Sequence, residues 1–180
     1  MLKVRQTGFS TIELLISLVI MSIGVLGMAG LQLVSMQQNR SALLQGEAMM
    51  LANDILDRIR ANPSSTYNVD LDDVPTLTTN CVGNSCTESE MAAYDIAQWQ
   101  CAINSVDVSG SQHSVCSNFS ITGALPGGYC SAAESACAGG SIELSGGVYS
   151  ISIQWVDQQA VDANASNALV RSVTVNMRAP

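Results

Sequence analysis

The stretch GFSTIELLISLVIMSIGVLGMAGLQL, Gly8 to Leu33, follows a short leader carrying Lys3 and Arg5 and decides how the rest of the chain is read. From Leu14 through Asn39 no side chain carries a formal charge. At about 1.5 Å of rise per residue, about 20 such residues cross the ~30 Å hydrocarbon core of a bilayer. The segment therefore reads as a membrane-spanning helix. A secretory signal would have a shorter apolar core and a small-residue cleavage site. A cut near Gly30 would also leave Glu13 without a role. Glu13 is the anomaly, because a carboxylate in or near lipid costs a few kcal/mol unless it is paired.

Cleavage after Gly8 supplies the pairing. It places a new α-amine on Phe9, four residues before Glu13 and on the same helical face. The positive end of the helix dipole also favours a carboxylate there. In an assembly the carboxylate of one subunit can reach the amine of another, and low dielectric strengthens that attraction while penalising an unpaired charge.

These residues resemble the prepilin signature of type IV pilins and type II secretion pseudopilins: a basic leader, Gly8 before the cut, Phe9 after it, Glu13, then an unbroken apolar helix. The resemblance implies a prepilin peptidase that cleaves after Gly8 and N-methylates Phe9, with Glu13 registering the subunit during assembly. Lys3 and Arg5 flank the N-terminal end of the span. The positive-inside tendency then keeps the N-terminus in the cytoplasm and exports the rest.

Charge and cysteine content narrow the partners and the covalent chemistry expected of the exported part. The chain has 180 residues and a formal charge of −8, and loss of Lys3 and Arg5 takes seven basic side chains down to five. Nucleic acid is not an expected partner, because phosphate contacts need clustered Lys and Arg. In an oxidising compartment six cysteines read as a disulfide set. Cys81, Cys86, Cys101, Cys116, Cys130 and Cys137 allow fifteen connectivities. The sequential pairing 81–86, 101–116 and 130–137 is the simplest. No Cys-x-x-Cys occurs, so a thioredoxin-like or zinc site has little support.

Helical periodicity runs on to Ala61. Leu44, Ala48, Leu51, Ile55 and Ile59 recur at steps of three and four, Asp54 and Arg58 form an i,i+4 pair, and Pro63 marks the stop. A helix from Phe9 to Ala61 would be roughly 80 Å long. Gly24, Gly27 and Gly30 interrupt it at spacings of three, which suits close helix packing or local unwinding; many major pilins have proline at the position of Gly30. Residues 62–86 read as an irregular connection, and Asp70, Asp72 and Asp73 lack the glycine and later glutamate of a calcium loop. Thr87 and Glu90 form a capping box for a second helix over Glu88–Ser105, whose apolar stripe is Ala92, Ile96, Trp99, Ile103 and Val106. Cys101 lies away from that stripe, placed to tether a loop. Two alternating strands follow, Tyr149 to Trp155 and Leu169 to Met177, with Ser141–Leu144 a shorter third. Lone His113, and the absence of nucleophile-elbow, phosphate-loop and dinucleotide motifs, give no reason to expect an enzyme or a cofactor.

The order of elements is similar to the pilin fold, an α+β arrangement with an antiparallel sheet on the amphipathic half of the long helix. The division expected is a cleaved leader at 1–8, an assembly half at 9–33, an amphipathic half at 34–62 and a periplasmic domain at 63–180. Within the superfamily the chain most resembles PilV-type minor pilins, on the first stretch, the Asp-Ile-Leu-Asp-Arg-Ile-Arg-Ala-Asn run ending at Asn62, the Tyr94–Trp99 segment, the Leu-Pro-Gly-Gly turn at Leu125 and the Tyr149–Trp155 strand. The cysteine-rich middle departs from that family. The resemblance implies a minor pilin of the bacterial inner membrane that passes into the pilus fibre. Its partners would be other minor pilins, the major pilin, the prepilin peptidase, the assembly platform and membrane lipid. A secretion pseudopilin, or a signal-anchored disulfide-rich binding module, are the alternatives.

Overall fold

The computed structural model describes residues 8, 10–107, 109–130, 137–157 and 169–180. Two compact units divide the chain, one up to Arg40 and one comprising Ser41–Pro180. Helix α1 (Thr11–Ala61) contributes to both.

In the first unit the helix opens on Ser10, whose carbonyl accepts the amides of Glu13 (3.1 Å) and Leu14 (3.3 Å). Every residue of α1 from Thr11 to Arg40 is exposed. Nothing within this unit covers its apolar side chains.

In the second unit the end of α1 buries Ala48, Leu51, Ala52, Ile55, Leu56 and Ile59. This is the stripe anticipated from the steps of three and four, widened by Ala52 and Leu56. It shares one core with α2 (Glu88–Ile103) and with a meander of β1 (Gly139–Ser145), β2 (Val148–Asp157) and β3 (Leu169–Arg178), antiparallel in the order β1-β2-β3. Tyr149, Ile151, Ile153 and Trp155 point inward from β2, as alternation requires. Beside them Val173 is buried and Val175 and Met177 are partly so. On the outer face Ser150 donates to Asn176 Oδ1 at 2.7 Å, and the hydroxyls of Ser152 and Thr174 lie 2.9 Å apart. These cross-strand pairs reinforce the register. Gly146 and Gly147, at φ +58° and +76°, close the β1–β2 hairpin with both central residues left-handed, as a type I′ turn demands.

Helix and strand boundaries differ in places from the sequence reading. Helix α2 stops at Ile103 rather than Ser105 because Asn104 is extended, at φ −152°, with its side-chain amide donating to the carbonyls of Leu125 (3.4 Å) and Gly127. Val106 therefore leaves the helical stripe and bridges to Gln112. Strand β1 is longer than Ser141–Leu144, and begins at Gly139 and Gly140. A Cβ at Gly140 would sit 2.4 Å from Trp99 Cη2, so only glycine lets the strand lie this close to α2. The connection 62–86 is irregular as expected, yet it enters the core. Tyr67 is fully buried, and Val69 exchanges two backbone hydrogen bonds with Ile142 (3.0 and 2.9 Å), covering part of the β1 edge. Of the polar loop that the sequence suggests between the last two strands, Asp157 to Asn167, Asp157 ends β2 and the rest lies outside the described residues.

All six cysteines are bridged, Cys81 to Cys86, Cys101 to Cys116 and Cys130 to Cys137, the sequential arrangement. Cys101 is fully buried, and its bridge ties α2 to the 3₁₀ turn Cys116–Phe119. The capping box at α2 is complete. Thr87 Oγ1 accepts the Glu90 amide (3.3 Å), and the Glu90 carboxylate accepts the Thr87 amide (2.8 Å), the Thr87 hydroxyl (2.8 Å) and the Thr79 hydroxyl (3.0 Å). The Thr87 amide, then the Thr87 and Thr79 hydroxyls, lower the Glu90 pKa below its ordinary value. A depressed carboxylate contributes stability that is present above its unfolded pKa and is lost as pH falls through the folded value. Thr87→Ala is expected to lower stability by about 1 kcal/mol. Chemical denaturation at neutral pH measures this, and the deficit should shrink in acid, where Glu90 is protonated in both proteins.

Candidate assembly surface

The sequence places its one acidic group at the start of the apolar run, and the structure puts Glu13 in the first turn of α1. A carboxylate there faces the free amides and the positive end of the helix dipole. Around and beyond it Ile12, Leu15, Leu18, Met21, Leu26 and Leu31 are each more than half exposed. Among the described residues α1 is the one helix long and apolar enough to cross a membrane. An exposed apolar surface of this extent marks a lipid or protein contact.

Its few polar groups are muted. Ser17 Oγ donates to the Leu14 carbonyl (2.9 Å) and Ser22 Oγ to the Val19 carbonyl (2.8 Å). Each hydroxyl is thereby satisfied within its own helix and presents no unmade donor to an apolar environment. Gly24, Gly27 and Gly30 are all helical, and a Cβ at any of them would meet no atom within 4 Å. Within this unit their smallness answers no packing need.

Gly8 is described and exposed. Lys3, Arg5 and Phe9, the other residues of the expected processing and orientation signals, lie outside the described residues, and so does the amine that would pair with Glu13.

In the second unit a polar cluster fixes the far end of α1. Arg58 pairs with Asp54 (3.0 Å), the i,i+4 contact legible in the sequence, and its Nη1 also donates to Asp95 Oδ1 (3.0 Å) and Gln98 Oε1 (2.6 Å) of α2. The Tyr67 hydroxyl donates to Asp95 Oδ2 (2.8 Å) and accepts from Asn62 Nδ2 (3.3 Å). Burial is the main force raising the Tyr67 pKa, with the Asp95 carboxylate adding to it and the Asn62 donor opposing it, so the phenol stays neutral and donating. This network of bonds orients the two helices against each other. Tyr67, Asp95 and Gln98 were not singled out in the sequence, and the cue to the last two is that each immediately precedes an apolar-stripe position of α2, Ile96 and Trp99.

His113 accepts the Val115 amide on Nδ1 (3.3 Å) and meets the Tyr129 ring edge-on at 5.7 Å between centroids. Asp73 Oδ2 accepts the Asp70 amide (2.9 Å), which makes that acidic stretch a self-bonded turn.

An exposed apolar helix running into an amphipathic half, packed with a second helix on a three-stranded antiparallel sheet, is the pilin-like α+β arrangement. Residues 30–97 of the 180 match the Tt1218-like family model, described as type IV pilin Tt1218. This match supports a place in the type IV pilin superfamily, and a pilin role with it. It starts at Gly30, beyond Glu13, and takes in the rest of α1, the connection and most of α2. It is thus independent of the leader and Glu13 signature. Pilins are structural proteins of a fibre and act through contacts with other pilus components; a membrane-anchored helix fits that role. No curated protein and no solved structure matches the chain.

Proposed function

We propose that this chain is a minor pilin that co-assembles with other minor pilins at the bacterial inner membrane and primes or caps the type IV pilus, supporting motility, attachment or DNA uptake. One observation carries the reading. A single carboxylate, Glu13, heads an exposed helical stretch that has no other charge from Leu14 to Asn39. Such a group is costly in lipid and useful only when matched. The match is the Phe9 amine created by a prepilin peptidase acting after Gly8, and the N-terminus starts on the cytoplasmic side where Lys3 and Arg5 hold it.

Mass spectrometry of the protein recovered from cells tests this. An N-terminal methylated phenylalanine is expected at residue 9, and Gly8→Arg should leave all eight leading residues attached. An intact leader in the unsubstituted protein would overturn the reading in favour of a plain membrane anchor. Loss of pili in a deletion strain, with secretion intact, separates a pilus role from that of a secretion pseudopilin.

A further inference from the structure

The three disulfides stand in unlike surroundings. Cys101–Cys116 is fully buried, and Cys130–Cys137 is nearly so, with Gln154 Nε2 donating to Cys137 Sγ at 3.0 Å. Cys81 and Cys86 are both partly exposed and flank Val82, Gly83, Asn84 and Ser85, all exposed, with Val82 at 71%. The ring's hydrogen bonds run mainly to the residue just before it. Asn80 Oδ1 accepts the Val82 amide (2.9 Å) and Asn84 Nδ2 donates to the Asn80 carbonyl (2.8 Å). Toward α2, Cys81 Sγ lies 3.9 Å from the Glu90 carbonyl. The ring also closes only five residues of sequence separation, so it constrains the unfolded chain less than the fifteen-residue Cys101–Cys116 link. Accessible bridges that the core does not depend on are the ones that exchange with thiols.

We propose that Cys81–Cys86 is a thiol–disulfide exchange site whose co-reactant is an external dithiol, and that the other two bridges are structural. A thiolate of the dithiol attacks one sulfur of the bridge. A new S–S bond forms as the Cys81–Cys86 bond breaks, and the departing sulfur leaves as a thiolate and takes a proton from solvent. The second thiol of the dithiol then attacks its partner sulfur in the mixed disulfide. Two electrons pass to the cysteine pair, and the dithiol ends as its own disulfide. Opening the ring frees residues 82–85. The Thr79 and Thr87 hydroxyls still reach Glu90, so α2 keeps its cap and the surface just before it changes without loss of the core.

The test exposes the full chain in detergent, under native conditions, to low concentrations of dithiothreitol, followed by alkylation and peptide mass spectrometry. Cys81 and Cys86 are expected to label at least about tenfold faster than the other four cysteines. Equal rates, or no labelling before the protein unfolds, would overturn the proposal. A double variant, Cys81→Ser with Cys86→Ser, guards against misreading a general loosening. It should fold and keep the other four cysteines as resistant as before, whereas misfolding or spread of label would make this bridge a structural staple.

Discussion

Glu13→Ala is expected to yield a protein that is cleaved and methylated normally yet enters filaments poorly, with incorporation down by about ten- to a hundredfold. Removing one partner of a buried ion pair strands the other, at about 3–5 kcal/mol. In a fibre built of packed apolar helices the stranded group would be the Phe9 amine. Each 1.4 kcal/mol is about a tenfold change in an equilibrium, and solvent access near a helix end offsets part of the full penalty. Loss of the pair therefore affects transfer from lipid to fibre more than residence in lipid, where a neutral alanine at position 13 is itself well tolerated. Glu13→Asp keeps the charge on a shorter stem and should retain part of the incorporation, while Glu13→Gln keeps the shape without the charge and should resemble alanine. The readout is the fraction of processed protein in sheared filaments. Wild-type incorporation of Glu13→Ala and Glu13→Gln would remove Glu13 from assembly altogether.

That prediction draws on the part of the chain most legible without coordinates, because the evidence there is local. A charge gap from Leu14 to Asn39 with one acid at its head is written residue by residue, and so are the Thr87–Glu90 box and the Tyr149–Trp155 alternation. Where the sequence reading fell short, the cause was a distant partner. Helix α2 is two residues shorter than its periodicity allows because Asn104 bonds to carbonyls more than twenty positions away. Tyr67 sits in a stretch rich in polar and turn-forming residues and reads as loop. Its burial follows from Asp95, Asn62 and the Tyr149 hydroxyl, which accepts the Tyr67 amide at 3.4 Å. Short glycine pairs were equally mute. Nothing in Gly139–Gly140 announces that an indole from α2 lies against the second of them.

The two tryptophans give the sharpest test of how that core is held. Trp99 is fully buried, touches the Gly140 backbone and donates its indole N–H to the Leu51 carbonyl of α1 at 2.9 Å. One side chain thereby links α1, α2 and β1. Trp155 is 2% exposed on β2, but its indole N–H has no hydrogen-bond partner among the described residues. Truncation to alanine removes a large volume at both sites and should cost about 3–5 kcal/mol at each. Phenylalanine separates them. At Trp99 it removes the link to Leu51 as well as part of the ring, adding about 1 kcal/mol to the loss of packing. At Trp155 it removes a buried donor that no described residue satisfies, which relieves a penalty and offsets part of the lost volume. Trp99→Phe should therefore be clearly the more destabilising in urea or thermal melts, and hydrogen exchange should rise along α2 and the buried part of α1 in that variant only. Equal losses would mean that ring volume alone sets the stability of this core, and that the indole bond to Leu51 contributes nothing to holding α1 against α2.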